Sequence, residues 1–392
     1  MFRFLTAGES HGPSLTIIVD GLPAGIDVSS EVINRQLSRR QAGYGRGGRM
    51  TIEKDEAEIT GGVRLGRTLG GPVAMSIRNR DWPNWAEAMS VSAPIQDPGD
   101  AALRRVRHPR PGHADLAGAL KTGTHDARDV LERASARETT SRVAAGALAR
   151  TFLSAFGVEI ASHTLGVGSV VMPRDREVGW DAIAAIPADS PLRCSDASFE
   201  KKMIAEVDSV RAAKDSLGGI FQVVVRGLPP GLGSSRLWDT RLEARLGQAL
   251  LSIHAVKAVE VGDGFAAATR TGSQVHDEIH YDDATRRFYR RTNRAGGIEG
   301  GMTNGEEVRS TAYLKPLSTL PRPLQSVDLV DKTRVEATVE RTDTCVIAAA
   351  GVIGEAMAAI VLTTAFLEKF GGDSLQETRR NYEGYLTQLD GY

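Results

Sequence analysis

The chain is poor in the residues that build disulfide frameworks, metal centres and nucleic-acid surfaces. Its 392 residues include two cysteines, Cys194 and Cys345, with no C-x-x-C pair and no metal-ligand spacing. This usage argues against a disulfide framework and suits a reducing compartment. Aromatic residues make up 5% of the chain and the formal net charge is −1. A nucleic-acid-binding protein, which needs stacking platforms and a basic surface, is therefore not favoured.

Signals for export or membrane insertion are also missing. The segment from Met1 to Gly12 lacks the basic region and the apolar run of a signal peptide. The most apolar stretch, from Cys345 to Phe366, contains Glu355, two glycines and many alanines, which is more typical of a buried helix than of a membrane span. We expect a cytoplasmic protein that binds neither membrane nor nucleic acid.

No Pro/Ser-rich linker or low-complexity tract divides the chain, whose length suits two ordinary domains or one large one. Hydrophobic periodicity predicts helices over Ser30–Gln41, Ala127–Phe156, Trp238–Ile253 and Thr344–Phe370. Extended segments are predicted over Phe2–Thr6, Thr16–Asp20, Val158–Val170 and Phe221–Val225.

Two pairs of similar segments divide the chain into halves of about 1–200 and 201–392. A strand followed by Gly-Leu-Pro-Ala-Gly (21–25) is echoed by a strand followed by Gly-Leu-Pro-Pro-Gly (227–231). An Ala-rich helix ending in Phe-Gly occurs at 156–157 and again at 370–371. The echoes fit an internal duplication, and they equally fit the ordinary chemistry of turns and helix ends.

The first group of chemically active residues is Gly8-Glu9-Ser10-His11-Gly12, directly after a predicted strand. Glycines on both sides let the backbone turn sharply and approach a ligand. Ser10 and His11 are therefore candidate site residues, although a lone histidine is often structural. The second group, 39–49, carries Arg39, Arg40, Arg46 and Arg49 among four glycines. Because the guanidinium fork binds phosphate and carboxylate in pairs, this segment predicts an anion site rather than a solvated loop.

Two further basic segments follow. In Arg104–Asp115, Pro111 and Gly112 break the chain just before a helical pattern, so His113 should lie near a helix N-terminus, where the dipole disfavours imidazolium. In Arg133–Thr140, Arg133 and Arg137 are four residues apart on a predicted helix. They would share a face and either hold an anion or form ordinary surface ion pairs.

The C-terminal half adds a loop with five glycines over 293–305, the segment Lys315–Thr319, and Arg341-Thr342-Asp343 before the last long helix. Asp343 is placed to cap that helix or to take part in chemistry. The sequence His276-Asp277-Glu278-Ile279-His280 resembles a zinc motif, but its surroundings predict an extended strand that separates the two histidines. No metal site is predicted.

Together these segments, in their order and spacing, resemble the chorismate synthase family over essentially the whole chain. The resemblance implies an α+β fold with a single large domain over residues 1–392, in which Ala-rich helices lie between two antiparallel sheets, and a homotetramer. The implied reaction is a 1,4-elimination of phosphate from 5-enolpyruvylshikimate-3-phosphate, which requires reduced FMN without net redox change. Because the C6–H bond is not acidic, an electron-rich flavin would lend charge as phosphate leaves.

The resemblance also implies a role for each matching residue. His11 resembles the acid that protonates the phosphate, His113 the residue beside the flavin, and Asp343, through Ser10, the group that handles the flavin N5 proton. The substrate's phosphate and carboxylates would be surrounded by Arg40, Arg46, Arg49, Arg110, Arg137 and Arg341. FMN would contact Arg133, Ala134, Ser135, His254, Ala255, Gly300, Lys315, Pro316, Leu317, Ser318, Thr319 and Arg341, and NADP would contact Arg40 and Arg46.

Two positions depart from the family pattern, since His254 stands where glutamine is usual and Ala348 where proline is usual. Neither carries the implied chemistry. The alternative enzyme is an NADPH-dependent flavin oxidoreductase whose arginines hold cofactor phosphates. The sequence leaves open whether NADPH or an external reductase would reduce the flavin.

Overall fold

The structure, a computed structural model, describes residues 2–47, 54–94, 96, 98–173 and 177–392. Arg49, one of the predicted substrate-binding arginines, lies outside the described residues. The helices are α1 (Ser30–Gln41), α2 (Asp100–Leu103), α3 (Asp115–Thr122), α4 (Arg128–Leu131), α5 (Glu138–Ser154), α6 (Trp180–Ala184), α7 (Ala197–Ala212), α8 (Leu242–Leu251), α9 (Phe265–Ala268), α10 (Gly272–Val275), α11 (Ile347–Phe370) and α12 (Leu375–Asp390). Short 3₁₀ turns occupy Trp82–Asn84 and Trp238–Thr240.

In the described residues, the strands form two larger antiparallel sheets and four two-stranded ribbons. The first sheet contains β1 (Arg3–Ala7), β2 (Ser14–Asp20), β3 (Ala57–Gly61) and β6 (Val73–Arg78) in the order β1-β2-β6-β3. The second contains β7 (Glu159–Val167), β8 (Val170–Val171), β9 (Gly219–Arg226), β10 (Val256–Val261) and β15 (Val308–Leu314) in the order β10-β15-β9-β7-β8. The ribbons are β4 (Val63–Arg64) with β5 (Arg67–Thr68), β11 (Ile279–Asp282) with β12 (Arg287–Arg290), β13 (Ile298–Glu299) with β14 (Met302–Thr303), and β16 (Gln325–Val327) with β17 (Arg334–Glu336).

Helices α5 and α11 connect the two larger sheets. Helix α5 contacts β1 and β2, helix α11 contacts β7 and β9, and the two helices contact each other. Their approach depends on small residues, because a Cβ atom added at Gly146 of α5 would lie 2.4 Å from the Cβ atom of Ala356. These contacts place an Ala-rich helix pair against both sheets, while the proposed duplication of the chain stays a prediction.

Helix α11 is a core helix. By length and composition it could cross a membrane, but 94% of its most apolar window is buried inside the protein. The prediction of a buried helix over this stretch is confirmed. Val346, directly before α11, and Ala349 and Ile353 in its first turns also line the cavity described below.

Helix α1 places an arginine on a buried face. Its N-terminus is capped by Ser29, whose side chain accepts a hydrogen bond from the Val32 amide. Ile33, Leu37 and Arg40 follow one another at intervals of four and three residues, which places them on one face of the helix. All three are buried. The helix thus carries Arg40 into the interior along its apolar stripe.

The predicted helix over Ala127–Phe156 is wrong at its centre. Residues 132–137 form turns between α4 and α5. The physical reason is a competing hydrogen bond: the Glu132 carbonyl accepts from the Ser10 amide at 3.0 Å instead of an amide one turn later. The prediction over Ser30–Gln41 is confirmed, whereas the predictions over Trp238–Ile253 and Thr344–Phe370 begin four and three residues too early, since α8 begins at Leu242 and α11 at Ile347.

Candidate active site

A cavity of about 460 Å³ collects residues from distant parts of the chain. Its volume falls in the usual range for small-molecule sites, about 300–1,000 Å³. The predicted site residues that line it are Ser10, His11, Arg40, Arg46, Arg110, His113, Ala134, Ser135, Arg137, His254, Ala255, Lys315, Leu317, Ser318, Thr319, Arg341 and Asp343.

His11 is held by Glu132 from the turn before α5. The Glu132 carboxylate lies 2.8 Å from Nδ1 of His11 and accepts the His11 backbone amide, also at 2.8 Å. The imidazole stacks on Trp85 with ring centroids 3.7 Å apart. Burial opposes ionisation of Glu132, but hydrogen bonds and charge from His11 and Arg128 outweigh it and hold the pKa of Glu132 below its usual value. We call His11, Glu132 and Arg128 the first histidine group.

His113 is held by Asp115, the first residue of α3. Nδ1 of His113 hydrogen-bonds Oδ1 of Asp115, whose side chain is completely buried. Arg110 forms a two-pronged ion pair with the same carboxylate, with N–O distances of 2.8 and 3.0 Å. Burial opposes ionisation of Asp115, but the His113 and Arg110 contacts lower its pKa far below the usual value. We call His113, Asp115 and Arg110 the second histidine group.

Two of the predicted arginines share one buried carboxylate. Arg137 lies 3.1 Å and Arg40 lies 3.6 Å from the oxygens of Asp55. Arg40 also donates to the Thr139 hydroxyl and to the Ala136 carbonyl, each at 2.9 Å. Both guanidinium groups line the cavity, and guanidinium groups suit an anionic ligand.

Asp343 binds the glycine-rich segment after α1. Its carboxylate accepts from the Gly47 amide at 2.6 Å and lies 3.1 Å from Nη1 of Arg46. Helix α11 begins at Ile347 without a side-chain cap, so Asp343 does not cap it. A Cβ atom added at Gly47 would lie 2.6 Å from the Thr342 carbonyl, and glycine is therefore required for this close contact.

The opposite wall carries hydroxyl and amine groups. Lys315 donates to the Ser318 hydroxyl at 2.8 Å, and Ser318 donates to the Gly112 carbonyl at 2.7 Å. The Thr319 hydroxyl accepts from Arg110 at 2.9 Å. Burial, with a contribution from Lys257, lowers the pKa of Lys315. This wall offers donors suited to a phosphate group.

His254 and Ala255 close the cavity near Arg142. Burial and then the charge of Arg142 lower the pKa of His254, which favours the neutral imidazole. Nδ1 of His254 is buried and has no hydrogen-bond partner among the described residues. Ala255 has a φ angle of +68°, a backbone conformation unusual for alanine and often associated with functional sites.

Three predicted FMN contacts do not line the cavity within this chain. Arg133, Gly300 and Pro316 are exposed. Arg133 reaches back to the Thr6 and Gly8 carbonyls, at 2.9 and 3.2 Å. The predicted shared helical face of Arg133 and Arg137 is therefore wrong, because the two residues lie in turns and their side chains diverge. The assignment of Arg133, Gly300 and Pro316 as FMN contacts stays a prediction, as does that of Arg137 as a substrate contact.

Several residues that line the cavity or hold its side chains in place were missed from the sequence. Trp85 and Glu132 hold His11, Asp55 pairs with Arg40 and Arg137, and Glu340 pairs with Arg128. Only Asp115 gave a local signal, because it stands two residues after His113. Among the described residues no cluster of three or more metal-ligating side chains occurs, and β11 holds His280 in an extended strand as predicted.

The cavity combines two carboxylate-fixed histidines with a positive wall, which suits proton transfer coupled to departure of an anion. The sequence profile of the family described as chorismate synthase matches residues 2–367. A chorismate synthase of Solibacter usitatus is 56% identical over 100% of both chains, and one of Geobacter sulfurreducens is 54% identical over 98% of both. A crystal structure of a chorismate synthase superposes with a TM-score of 0.79 at 38% identity, covering 100% of this chain and 99% of that chain. The chain belongs to the chorismate synthase family.

Proposed function

We propose that the protein eliminates phosphate from 5-enolpyruvylshikimate-3-phosphate to give chorismate, the last common step of aromatic amino-acid biosynthesis. The observation that carries the proposal is one cavity lined by both His11 and His113, each fixed by a carboxylate, and by a wall of arginines. The substrate is a phosphorylated dicarboxylate, so an excess of guanidinium groups is the expected chemistry of its site.

His11 acts as the acid in this proposal. As the carbon–oxygen bond breaks, its electron pair goes to the phosphate oxygen and the proton on Nε2 of His11 transfers there. Arg40, Arg46, Arg110, Arg137 and Arg341, together with Arg49, bind the phosphate and the carboxylates and stabilise the charge that builds on the leaving group. The apolar first turns of α11 exclude water from the reacting atoms.

The residues present fit a flavin phosphate and ring. Lys315 and Thr319 offer donors, and Nδ1 of His254, which has no hydrogen-bond partner among the described residues, offers a hydrogen-bonding nitrogen. A Cβ atom at Gly112 would approach Ser318 to 3.3 Å, so glycine keeps this side open. When bound, reduced FMN supplies electron density to the reacting carbon framework.

The cofactor assignment includes Ala134, Ser135, Ala255 and Leu317 in the cavity, and Arg133, Gly300 and Pro316 outside it. When the flavin is bound, His113 would contact it, and Asp343, through Ser10, would supply the group that handles the proton of its N5 nitrogen. Ser10 is buried and accepts a hydrogen bond from Ser135 at 3.0 Å. The proposal also includes NADPH as a reductant that contacts Arg40 and Arg46. It further includes a homotetramer and a cytoplasmic location.

The experiment measures phosphate release and flavin absorbance together under anaerobic conditions, starting from photoreduced FMN below the substrate concentration. An elimination causes no net oxidation of the flavin in each cycle. We therefore expect the release of many phosphates per flavin, and we expect the flavin to remain reduced. Admission of oxygen should stop the reaction. One phosphate per flavin with oxidised flavin at the end would support the oxidoreductase alternative, which none of the comparisons favours.

A further inference from the structure

We propose that Glu132 is a positioning residue for His11, holding the proton on Nδ1 and leaving Nε2 to exchange a proton with the ligand. The expected effect on turnover rests on the proposed function. The position of the proton on His11 concerns the free protein and can be measured without substrate. The carboxylate, the ring and their supports come from five separate parts of the chain.

The contact geometry selects one tautomer. An ionised carboxylate only accepts hydrogen bonds, so Nδ1 of His11, 2.8 Å from Oε1 of Glu132, must carry the hydrogen. The other oxygen of Glu132 accepts the backbone amide of the same histidine at 2.8 Å. Both the main chain and the ring of His11 are thereby fixed to one carboxylate. Within the described part of the chain, Nε2 of His11 has no protein partner, and His11 lines the cavity.

Glu132 is itself immobilised. Arg128 donates from Nη1 to Glu132 at 2.9 Å and from Nη2 to Glu340 at 2.8 Å. The Nε atom of Arg128 donates to the Arg104 carbonyl at 2.9 Å. All three guanidinium nitrogens of Arg128 are therefore hydrogen-bonded. The Glu132 carboxylate cannot rotate away from His11 without breaking its buried ion pair with Arg128.

The imidazole of His11 is part of a stack that also contains the indole ring of Trp85 and the guanidinium of Arg104. Trp85 stacks on the imidazole with an interplanar angle of 21°, and the guanidinium of Arg104 lies 3.9 Å from the centre of the indole ring. The indole nitrogen donates to Asp81 at 3.1 Å. A stacked and hydrogen-bonded imidazole keeps its reactive nitrogen in one direction, which is how carboxylates orient histidines in hydrolase triads and metal sites.

Among the described residues, the charged groups that contact His11 or the residues supporting it are Asp81, Arg104, Arg128, Glu132, Glu340 and Arg341. Of these, only Glu132 contacts a ring nitrogen. Loss of its charge removes the nearest stabiliser of imidazolium. After proton transfer to the phosphate, His11 remains as the neutral imidazole with its hydrogen on Nδ1, still bonded to Glu132.

The test compares Glu132→Gln with the matched control Glu138→Gln. Glu138 is also a buried glutamate paired with an arginine four residues away, at 2.8 Å, but its hydrogen-bonded side-chain partners among the described residues are Thr6 and Arg142 rather than His11. The Glu132 variant keeps the side-chain shape, and Arg128 keeps Glu340, so the fold should survive. Circular dichroism and gel filtration verify this before any other measurement.

The first readout is the ¹⁵N NMR spectrum of the histidine rings in the free protein, assigned with His11→Gln. We expect the neutral form of His11 in the wild type to carry its hydrogen on Nδ1, and we expect Glu132→Gln to populate the other tautomer. The control should match the wild type. An unchanged tautomer in Glu132→Gln would overturn the inference, whether or not the protein turns over its proposed substrate.

The second readout is the pH dependence of turnover. In Glu132→Gln we expect kcat to fall about tenfold or more, KM to change less than about twofold, and the basic limb to move to lower pH, because imidazolium loses its partner. Glu132→Asp keeps the charge and should return the limb towards its wild-type position. Equal limbs in all three proteins would contradict the role of Glu132. Absence of phosphate release from the wild type would refute the proposed function and leave the NMR result standing.

Discussion

The two histidine groups use the same chemistry but are assembled in different ways. In the second group, Arg110, His113 and Asp115 lie within six consecutive residues. In the first group, His11 and Glu132 are 121 residues apart and meet only because β1 and α4 are brought together by the fold. In both, an arginine binds the carboxylate that binds the histidine.

The groups also differ in how their carboxylates are supported. Arg128 of the first group has a second acidic partner, Glu340. Among the described residues, Arg110 of the second group pairs with no carboxylate other than Asp115. We therefore expect the first group to tolerate the loss of one carboxylate charge better than the second. In the second group, residues close in sequence form one ion pair with Asp115. In the first group, residues far apart in sequence allow Arg128 to bind two carboxylates, those of Glu132 and Glu340.

The largest expected effect is on turnover when either ring is removed. His11→Ala and His113→Ala should each lower kcat by roughly 10- to 10⁴-fold, the scale of lost acid–base catalysis. Folding should survive, since neither imidazole is completely buried. Steady-state rates with reduced FMN in excess, alongside circular dichroism, test this. Near-normal turnover in one variant would break the comparison, because that histidine would then be structural.

The next effect is on stability and separates the two groups. Asp115→Asn leaves the buried Arg110 without an acidic partner and should lower the free energy of unfolding by about 3–5 kcal/mol. Glu132→Gln should lower it by about 1–2 kcal/mol, because Arg128 keeps Glu340. Urea unfolding at pH 7.5 measures both. Equal losses would show that Glu340 does not compensate for Glu132.

A third histidine shows what the absence of a carboxylate does. His163 is buried, hydrogen-bonds Gln222 through Nε2, and has no partner at Nδ1 among the described residues. Burial lowers the pKa of His163 to about 4. The unfolded chain, with a pKa near 6.5, then binds the proton first, so stability is present above about pH 6.5 and is lost as the pH falls towards 4.

The measurable loss between pH 7.5 and pH 5 is about 2 kcal/mol in the free energy of unfolding. His163→Gln cannot titrate and should remove most of this pH dependence, even if it lowers stability at pH 7.5. Urea unfolding at both pH values provides the comparison. If the wild type and the variant lose equal stability, protonation of His163 is not the cause.

The sequence predicted the local parts of this site and missed the parts made by tertiary contact. His113 before a helix, and the Arg and Gly residues after α1, were found because their neighbours along the chain carry the signal. The break at 132–137 was missed because Ser10, far away in sequence, takes the Glu132 carbonyl. Trp85 and Asp55 were missed for the same reason, since an isolated tryptophan or aspartate predicts nothing about its partner.

The residues missed were carboxylates and an aromatic ring, while most of the charged residues predicted were arginines and histidines. Arginines among glycines are recognisable because both residue types suit an anion. A carboxylate that orients a histidine has no such pattern unless it is adjacent, as Asp115 is. Strands β1 and β2, helix α1 and the buried helix α11 were predicted nearly to their observed limits, because hydrophobic periodicity alone defines them.

The central claim is that two separately assembled histidine groups act on one reaction in one cavity. A double-mutant cycle on kcat with His11→Ala, His113→Ala and the combined variant tests it most directly, because residues that act as a unit are strongly non-additive. We predict that the combined variant is at most about tenfold slower than the slower single variant. If the two losses instead multiply in full, the histidines act independently and the claim is contradicted.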